Sequence, residues 1–434
     1  MCSIAGGFSD TEHMLSVMKH RAPDDSSVLH DGAFSIGMGR LKILDLVSEG
    51  LCLLRDGDLT LAFNGEIYNY KELRDELTAK GHVFNTTGDS EVLLKAFKEW
   101  GRDCLVRLNG MFAFAIYDGE RVFLARDLAG EKPLYYRASP FAFASEAKAL
   151  GFECEELPPA SSAVYSIHTG RLDGPKVWWE PPTDIVDTSL EDAVRRLDEL
   201  LGDSVRLRTQ ADVPYGLYLS GGVDSTLIST YHDFKETFTY TEGSKEEFLE
   251  VFPKILWHLD YPVSTFTPYA LYKLAEEALG RGVKVILSGE GSDELFGGYV
   301  RFVANEFNRK AREIFPSYAG MFPYKDMMLE EFQGNMRELL RMGDRMASAW
   351  GIENRCPFLD RRIVEFAFSL PLHLKIDGYR TKIVPTELLM RRKPDYQQIE
   401  KQGLLVEVNK WIGSSERFTK NDYKAYQESI WKRF

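Results

Sequence analysis

Short apolar runs alternate with polar turns through the first part of the chain, and longer helical spacings replace them further on. Ile4–Phe8, Phe34–Arg40, Leu59–Phe63, Met111–Tyr117, Val122–Ala125 and Phe141–Ala144 predict strands. Tyr70–Lys80 and Glu91–Trp100 predict helices, the second with Asp89 or Ser90 near its N-cap. Strands outnumber helices here and do not alternate regularly with them. That pattern predicts packed, largely antiparallel sheets with covering helices.

The pattern changes after about Tyr165. Thr169-Gly170, Asp173-Gly174-Pro175 and Pro181-Pro182 mark 166–189 as a linker between an N-terminal domain (2–165) and a second domain (190–434). From Leu190 the apolar residues fall on one helical face: Leu190, Ala193, Leu197, Leu200 and Leu201. An apolar run, Val213–Tyr218, predicts a short buried strand, and Thr226-Leu227-Ile228 opens a helix. Further strands are predicted at Thr237–Thr241 and Val283–Leu287, and helices at Glu246–Leu259 and Leu271–Leu279. Helices dominate from there to a charged tail, Glu416–Phe434. Strands alternating with helices predict a parallel sheet that binds its ligand at the C-terminal strand ends. The fold class is therefore α/β, with an α+β N-terminal half.

Composition narrows the function. The 434 residues are 44% hydrophobic and 27% charged, a balance that supplies large cores. A net charge of −13 argues against nucleic acid or an anionic membrane as partner. The five cysteines are scattered with no CxxC pair, which speaks against a zinc site or disulfide framework and for a reducing cytoplasm. No apolar run is long enough to span a bilayer, and the N-terminus has no signal-peptide pattern.

Two stretches carry chemistry. Leu219-Ser220-Gly221-Gly222-Val223-Asp224-Ser225 stands between the predicted strand and helix. Its glycines let backbone N–H groups approach a phosphate, Ser220 and Ser225 add hydroxyl donors, and Asp224 can hold Mg²⁺. A plain Gly-Gly turn is the alternative. At the other stretch, Cys2 follows Met1 directly, and removal of Met1 would give its thiol a free α-amine as general base. An accidental second-position cysteine is the alternative. Asn64 and Gly65, in Asn64-Gly65-Glu66-Ile67-Tyr68-Asn69 just after a predicted strand, can form an oxyanion hole. Arg40 can grip a carboxylate, and Asp89 can accept from an α-ammonium. A turn, a surface charge and a helix cap are their plain alternatives.

The first of these stretches resembles the SGGxDS pyrophosphate loop of enzymes that cleave ATP to AMP and pyrophosphate. Met1–Asp24, the NGEIYN stretch, Gly88–Glu91, Gly110–Asp118, Arg126-Asp127, Pro133–Tyr136 and Ser145–Leu150 resemble the class II glutamine amidotransferase domain, an N-terminal-nucleophile αββα fold. The resemblance implies Cys2 as nucleophile, Asn64 and Gly65 as oxyanion hole, and Arg40, Asn64, Gly65, Glu66 and Asp89 as glutamine contacts. Ser288–Tyr299, Arg355–Asp360 and Trp257–Asp260, with SGGVDS, resemble asparagine synthetases over nearly the whole chain.

That family resemblance implies ATP on Tyr218, Leu219, Ser220, Gly221, Gly222, Val223, Asp224, Ser225, Tyr240, Ser288 and Gly289, with Mg²⁺ on Asp224 and Asp293. It implies Glu290 and Lys382 as catalytic groups of acyl-adenylate formation and amidation. For Lys382, a solvated surface lysine is the alternative. It also implies small-molecule substrates and a homodimer. Four departures stand out. Ala22 replaces a usual glycine, where a left-handed backbone would be strained. Glu242–Lys245 bridges a place where relatives carry a further helix and strand, which predicts a reduced sheet. Pro262–Thr267 lacks the arginine that helps hold aspartate, so Lys284, Arg301, Arg355 or Lys382 must replace it or the acceptor acid differs. Tyr261 stands where an acidic residue is common. Three readings follow: an asparagine synthetase, an amidotransferase for another acid, or a degenerate non-catalytic relative.

Overall fold

In the computed structural model the described residues are 1–46, 52–241, 243–263, 265–299, 301–303, 324–378, 380–397 and 427–428. The charged tail predicted from Glu416 falls almost wholly outside them. Twelve strands build the N-terminal half: β1 Ser3–Gly7, β2 Asp25–Asp31, β3 Phe34–Arg40, β4 Leu54–Asp56, β5 Leu59–Ile67, β6 Gly110–Tyr117, β7 Arg121–Arg126, β8 Tyr135–Ala138, β9 Phe141–Ala144, β10 Glu155–Glu156, β11 Ser161–Ser166 and β12 Arg171–Val177. They form two six-stranded antiparallel sheets, in the orders β10-β8-β9-β1-β3-β2 and β12-β11-β7-β6-β5-β4.

Strand β6 shows how its sequence makes the layers. Ala113, Ala115 and Tyr117 face the other sheet, in a core with Ile4, Ile36 and Phe143. Phe112, Phe114 and Ile116 face the helices Tyr70–Ala79 and Asp89–Trp100, in a second core with Leu73, Leu77 and Val92. Successive side chains point to opposite faces of a strand. An unbroken apolar run therefore marks a sheet buried on both sides. The outer face of the first sheet packs Ala5, Ala142 and Ala144 on Met14 and Leu15 of the helix Thr11–Val17. The result is four layers, helix–sheet–sheet–helix.

The stretch read as a linker from 166 to 189 contains β12, which pairs with β11. Its Gly and Pro residues are hairpin and edge features, tolerated because β12 stands at the sheet's edge. Irregular chain begins only after Val177 and ends at Ser189, whose hydroxyl caps the helix Leu190–Arg208.

The second half holds β13 Tyr215–Tyr218, β14 Thr237–Phe238, β15 Val285–Leu287 and β16 Glu353–Arg355 in a parallel sheet of order β14-β13-β15-β16. β14 is two residues long and forms the edge. Nothing among the described residues pairs outside it, as the shortened segment after Thr241 predicts. Helices Lys245–Leu259 and Thr267–Gly280 follow, the second beginning earlier than the apolar spacing suggested because Pro268 fits a first helical turn.

Charged groups at 0–4% side-chain exposure join the halves. Arg21 Nη1 lies 3.0 Å from Glu146 Oε1 and 2.8 Å from Asp344 Oδ2. Arg345 pairs with Glu146 and, at 2.8 Å, with Asp260. Lys148 Nζ reaches Asp260 at 2.8 Å. Two sequence features find their places here. In Trp257–Asp260, Asp260, at φ 67°, accepts from Ala147 N–H and fastens the halves. Ala22 does not adopt a positive φ, so the strain expected there is absent. Its Cβ instead packs where Gly39 leaves room, since a Cβ at Gly39 would fall 2.9 Å from it.

Arg345→Ala would leave Glu146 and Asp260 buried with too little compensating charge. Breaking such a pair costs about 3–5 kcal/mol, to be read as a lower urea midpoint of unfolding.

Candidate active sites

The first site gathers at the ends of β1, β3 and β5. The Cys2 N–H donates to Asn64 Oδ1 at 3.0 Å. Burial pushes the Cys2 thiol up, opposed by the neighbouring Met1 amine and by Arg40. Asn64 and Gly65 lie within β5 itself, not after it, because the strand runs on to Ile67. Asn64 is fully buried, and its Nδ2 has no partner. Arg40 ends β3; its Nη2 donates to the carbonyls of Leu44 and Asp45 at 2.9 Å each, while buried Nη1 has no partner. An unmet buried donor costs about 1–3 kcal/mol, so two at one site point to a ligand. Gly65 is required: at φ 152° a Cβ would lie 2.1 Å from the Met111 carbonyl oxygen.

Asp89 opens the helix Asp89–Trp100 and accepts from Ile67 N–H at 2.8 Å. Burial raises its carboxyl to about 6, with the Ile67 N–H opposing and Glu353 adding. Glu66 reaches across the domain boundary to Arg355 at 3.0 Å. An unpartnered guanidinium nitrogen, a buried carboxylate and an unpartnered amide suit an amino acid that carries a side-chain carbonyl.

The second site is a cavity of about 530 Å³ at the C-terminal ends of β13, β14 and β15, within the range of roughly 300–1,000 Å³ usual for small-molecule sites. Tyr218, Leu219, Ser220, Gly222, Asp224, Ser225, Tyr240, Ser288, Gly289, Glu290 and Asp293 line it. Gly221, at φ 76°, turns the loop, its carbonyl accepting from Tyr396 Oη at 3.2 Å. Val223 starts the helix Val223–Ser229. The Ser225 hydroxyl accepts from Ser220 N–H at 3.1 Å and so shapes the loop. Gly289 leaves room for Asp224, since a Cβ there would fall 2.9 Å from Asp224 Cβ.

Lys382 is not a surface lysine. It is 6% exposed, and its Nζ lies 2.6 Å from both Asp224 Oδ2 and Asp293 Oδ1. Burial opposes its charge, but the two carboxylates outweigh burial and raise its pKa, so it stays an ammonium. Its backbone holds φ 51° and ψ 44°, a left-handed conformation that a β-carbon disfavours. Strain of that kind collects at functional sites. Gly298 must lack a side chain, because a Cβ would sit 2.3 Å from Lys382 Cε.

Of the other cations weighed from sequence, Lys284 pairs with Asp24, Arg301 with Glu331, and Arg355 with Glu66 and Glu353. Among the described residues that line the cavity there is no Lys or Arg.

One short segment touches both sites. Arg355, at the end of β16, holds Glu66, while Cys356 Sγ lies 3.8 Å from Glu290 Oε2 and 3.7 Å from Ser288 Oγ. Asp360 secures the segment on Asn109, Arg208 and Arg362. The sequence reading missed Glu131. The Asp127 carboxylate gathers the N–H groups of Ala129, Gly130, Glu131 and Lys132 into a tight loop. That loop sends Glu131 toward Cys356 and leaves its Oε2 buried without a partner. Burial raises its carboxyl to about 8, and Asp127 adds. The available signal was a charged pair, Glu131-Lys132, inside the apolar stretch Leu128–Tyr136.

The glutamine amidotransferase domain profile matches residues 1–168, and the asparagine synthase profile matches 196–241, 233–337 and 323–423. The second match breaks around residue 241, where the chain reads as shortened. Glutamine-hydrolysing asparagine synthetase 1 of Bacillus subtilis is 28% identical, covering 99% of this chain and 92% of that one. Its alignment extends over 583 positions against 434 residues here, so it carries segments this chain lacks. A putative asparagine synthetase of Mycobacterium tuberculosis is 30% identical over 92% of this chain and 84% of its own. A probable one of Schizosaccharomyces pombe is 32% identical over 86% and 75%.

Two pH effects follow. Glutaminase kcat/KM should fall as pH drops through about 6, because protonated Asp89 no longer attracts an α-ammonium and kcat/KM reports free-enzyme groups. Asp89→Asn should be nearly inactive and lack that inflection. Glu131 makes the opposite contribution to stability. Between its ordinary value of 4.5 and its folded value of about 8 the folded protein holds a proton the unfolded chain has released. Stability therefore declines as pH rises across that window. Melting curves at pH 6 and pH 9 should show a smaller loss for Glu131→Gln than for wild type.

Proposed function

This chain belongs to the glutamine-hydrolysing asparagine synthetase family, and we propose that it makes asparagine from aspartate, glutamine and ATP at two linked sites. The observation that carries the linkage is the pair Arg355-Cys356: consecutive residues touch Glu66 in one site and Glu290 in the other.

At the first site, removal of Met1 converts the Cys2 nitrogen into a free α-amine already held by Asn64 Oδ1. The amine takes the thiol proton as sulfur attacks the glutamine side-chain carbonyl. Asn64 Nδ2 and Gly65 N–H receive the oxyanion. The proton passes to the leaving nitrogen, ammonia departs, and water hydrolyses the thioester to glutamate. Arg40 holds the α-carboxylate of glutamine and Asp89 its α-ammonium.

At the second site an aspartate carboxylate oxygen attacks the α-phosphorus of ATP, and pyrophosphate leaves. Ser220, Ser225 and the glycine loop cradle phosphate oxygens, with adenine against Tyr240 and the strand ends. Asp224 and Asp293 fit a divalent ion, since both converge on one cationic point, now the Lys382 ammonium, and Asp224 Oδ1 is buried without a partner among the described residues; with Lys382 turned toward phosphate the two carboxylates would hold the ion. Mg²⁺ held there with ATP would offset phosphate charge. Ammonia then attacks the acyl carbon, Glu290 takes the proton released from nitrogen, and AMP departs. Burial already raises the Glu290 carboxyl, which suits an acceptor of that proton. Lys382 stabilises negative charge on phosphate and on the tetrahedral carbon's oxygen. Glu131, Asn354 and Cys356 stand along the boundary that ammonia crosses.

The same reading carries over two domains joined near 178–189, a cytoplasmic location, a homodimer and small molecules as the only substrates. Among the described residues no helix is long and apolar enough to cross a membrane. A second reading, in which another carboxylic acid replaces aspartate, is favoured by the absence of Lys and Arg among the described residues lining the cavity. Pyrophosphate release with a panel of acids at saturating Mg²⁺–ATP and ammonia decides between them: release with aspartate supports the first, and release only with another acid sinks it.

Cys2→Ala should lose glutamine-dependent synthesis by more than a hundredfold and keep ammonia-dependent synthesis, measured as AMP formed with either nitrogen source. Asp293→Asn should do the reverse, cutting pyrophosphate release at least tenfold while glutamine hydrolysis persists.

A further inference from the structure

We propose that the Tyr218 hydroxyl is a binding contact for the acceptor acid, donating a hydrogen bond to one of its oxygens. The inference rests on the synthetase reading of the same cavity and extends it to a residue otherwise placed with ATP. Tyr218 ends β13, one residue before the phosphate loop. Leu217, its neighbour on the other face, is buried in the core beneath the sheet. Tyr218 packs against the apolar cluster that includes Met342 and Met346 from the helix Met336–Ser348. Its hydroxyl oxygen is shielded from water and has no hydrogen-bond partner among the described residues.

A phenol left unmet in this way is worse for the free protein than a phenylalanine ring of the same shape. The hydroxyl is therefore explained by a ligand rather than by folding. The identity of that ligand follows from what else lines the cavity. Ser220, Gly222, Asp224 and Ser225 serve phosphates, and Phe238, Thr239 and Tyr240 stand at the strand edge. Tyr218 shares the rest of the lining with Glu290, Leu339 and Met342 among others. Glu290 is the charged group whose field reaches the Tyr218 hydroxyl. Glu290 works on the acyl carbon, so a donor beside it faces the acid and not the nucleotide. The described lining offers no cation but does offer Asp224, Glu290, Asp293 and Glu294. Lys382 is held on Asp224 and Asp293, so a neutral donor near Glu290 is a fitting contact for an oxygen of the acid.

Tyr218→Phe removes one oxygen and keeps the ring. With Mg²⁺–ATP and ammonia saturating, kcat/KM for the acid should fall about five- to hundredfold, the range expected for one lost hydrogen bond. The KM for ATP and the glutaminase rate should stay within twofold, and the melting temperature should not drop. A change in kcat/KM for the acid below fivefold overturns the proposal. So does a loss that falls on the KM for ATP, or one accompanied by a lower melting temperature, since either would mark a nucleotide or structural role. The wild type is assayed first with the acid panel. If an acid other than aspartate is used, the aspartate reading fails and the variant is judged with that acid. If no acid releases pyrophosphate, both fall.

Discussion

Everything in this molecule hangs on a set of charges removed from water at the boundary of its two halves. Arg21, Glu146 and Lys148 come from one half, and Asp260, Asp344 and Arg345 from the other. Desolvating so many ions is costly, and apolar packing of similar volume would serve stability as well or better. What the cluster supplies is position. A slip of either half would strand carboxylates or guanidinium groups without partners in a low-dielectric space, so one relative placement is strongly preferred over its neighbours. Leu41, Leu128 and Ala129 join the main core of the second half, so apolar burial acts in the same direction.

That placement matters because the product of one site must reach the other before it is lost to solvent. Arg208 and Arg362 anchor Asp360, the anchored segment presents Arg355 and Cys356 back to back, and the two sites are thereby tied to one rigid strand end. The backbone carbonyls of Arg208 and Gln210 accept from Arg355 at 2.9 and 2.8 Å, which fixes the guanidinium before it meets Glu66.

The two sites also share a physical logic. Each contains buried polar atoms with no partner: Arg40 Nη1 and Asn64 Nδ2 in one, Tyr218 Oη and Asp224 Oδ1 in the other. Folding alone does not favour such atoms. Their gathering at these two sites is the mark of surfaces completed by substrate.

Sequence alone determined the elements and much of the chemistry. Strong local patterns, such as Phe34–Arg40 and Phe141–Ala144, fold as read because strand periodicity and burial coincide there. Cys2, the SGGVDS loop and Glu290 are legible because phosphate and acyl chemistry demand particular residues at short spacing. Tertiary structure decided the rest. It made Asp260 a clamp between the halves, made β12 out of a Gly- and Pro-rich stretch, and drew Lys382 onto two carboxylates more than eighty residues away in the chain. It also brought Glu131 and Tyr218 into view. Sequence placed Tyr218 only with ATP and left Glu131 as one of a charged pair, because what distinguishes each is a buried oxygen without a partner, and burial and partners exist only once distant segments meet.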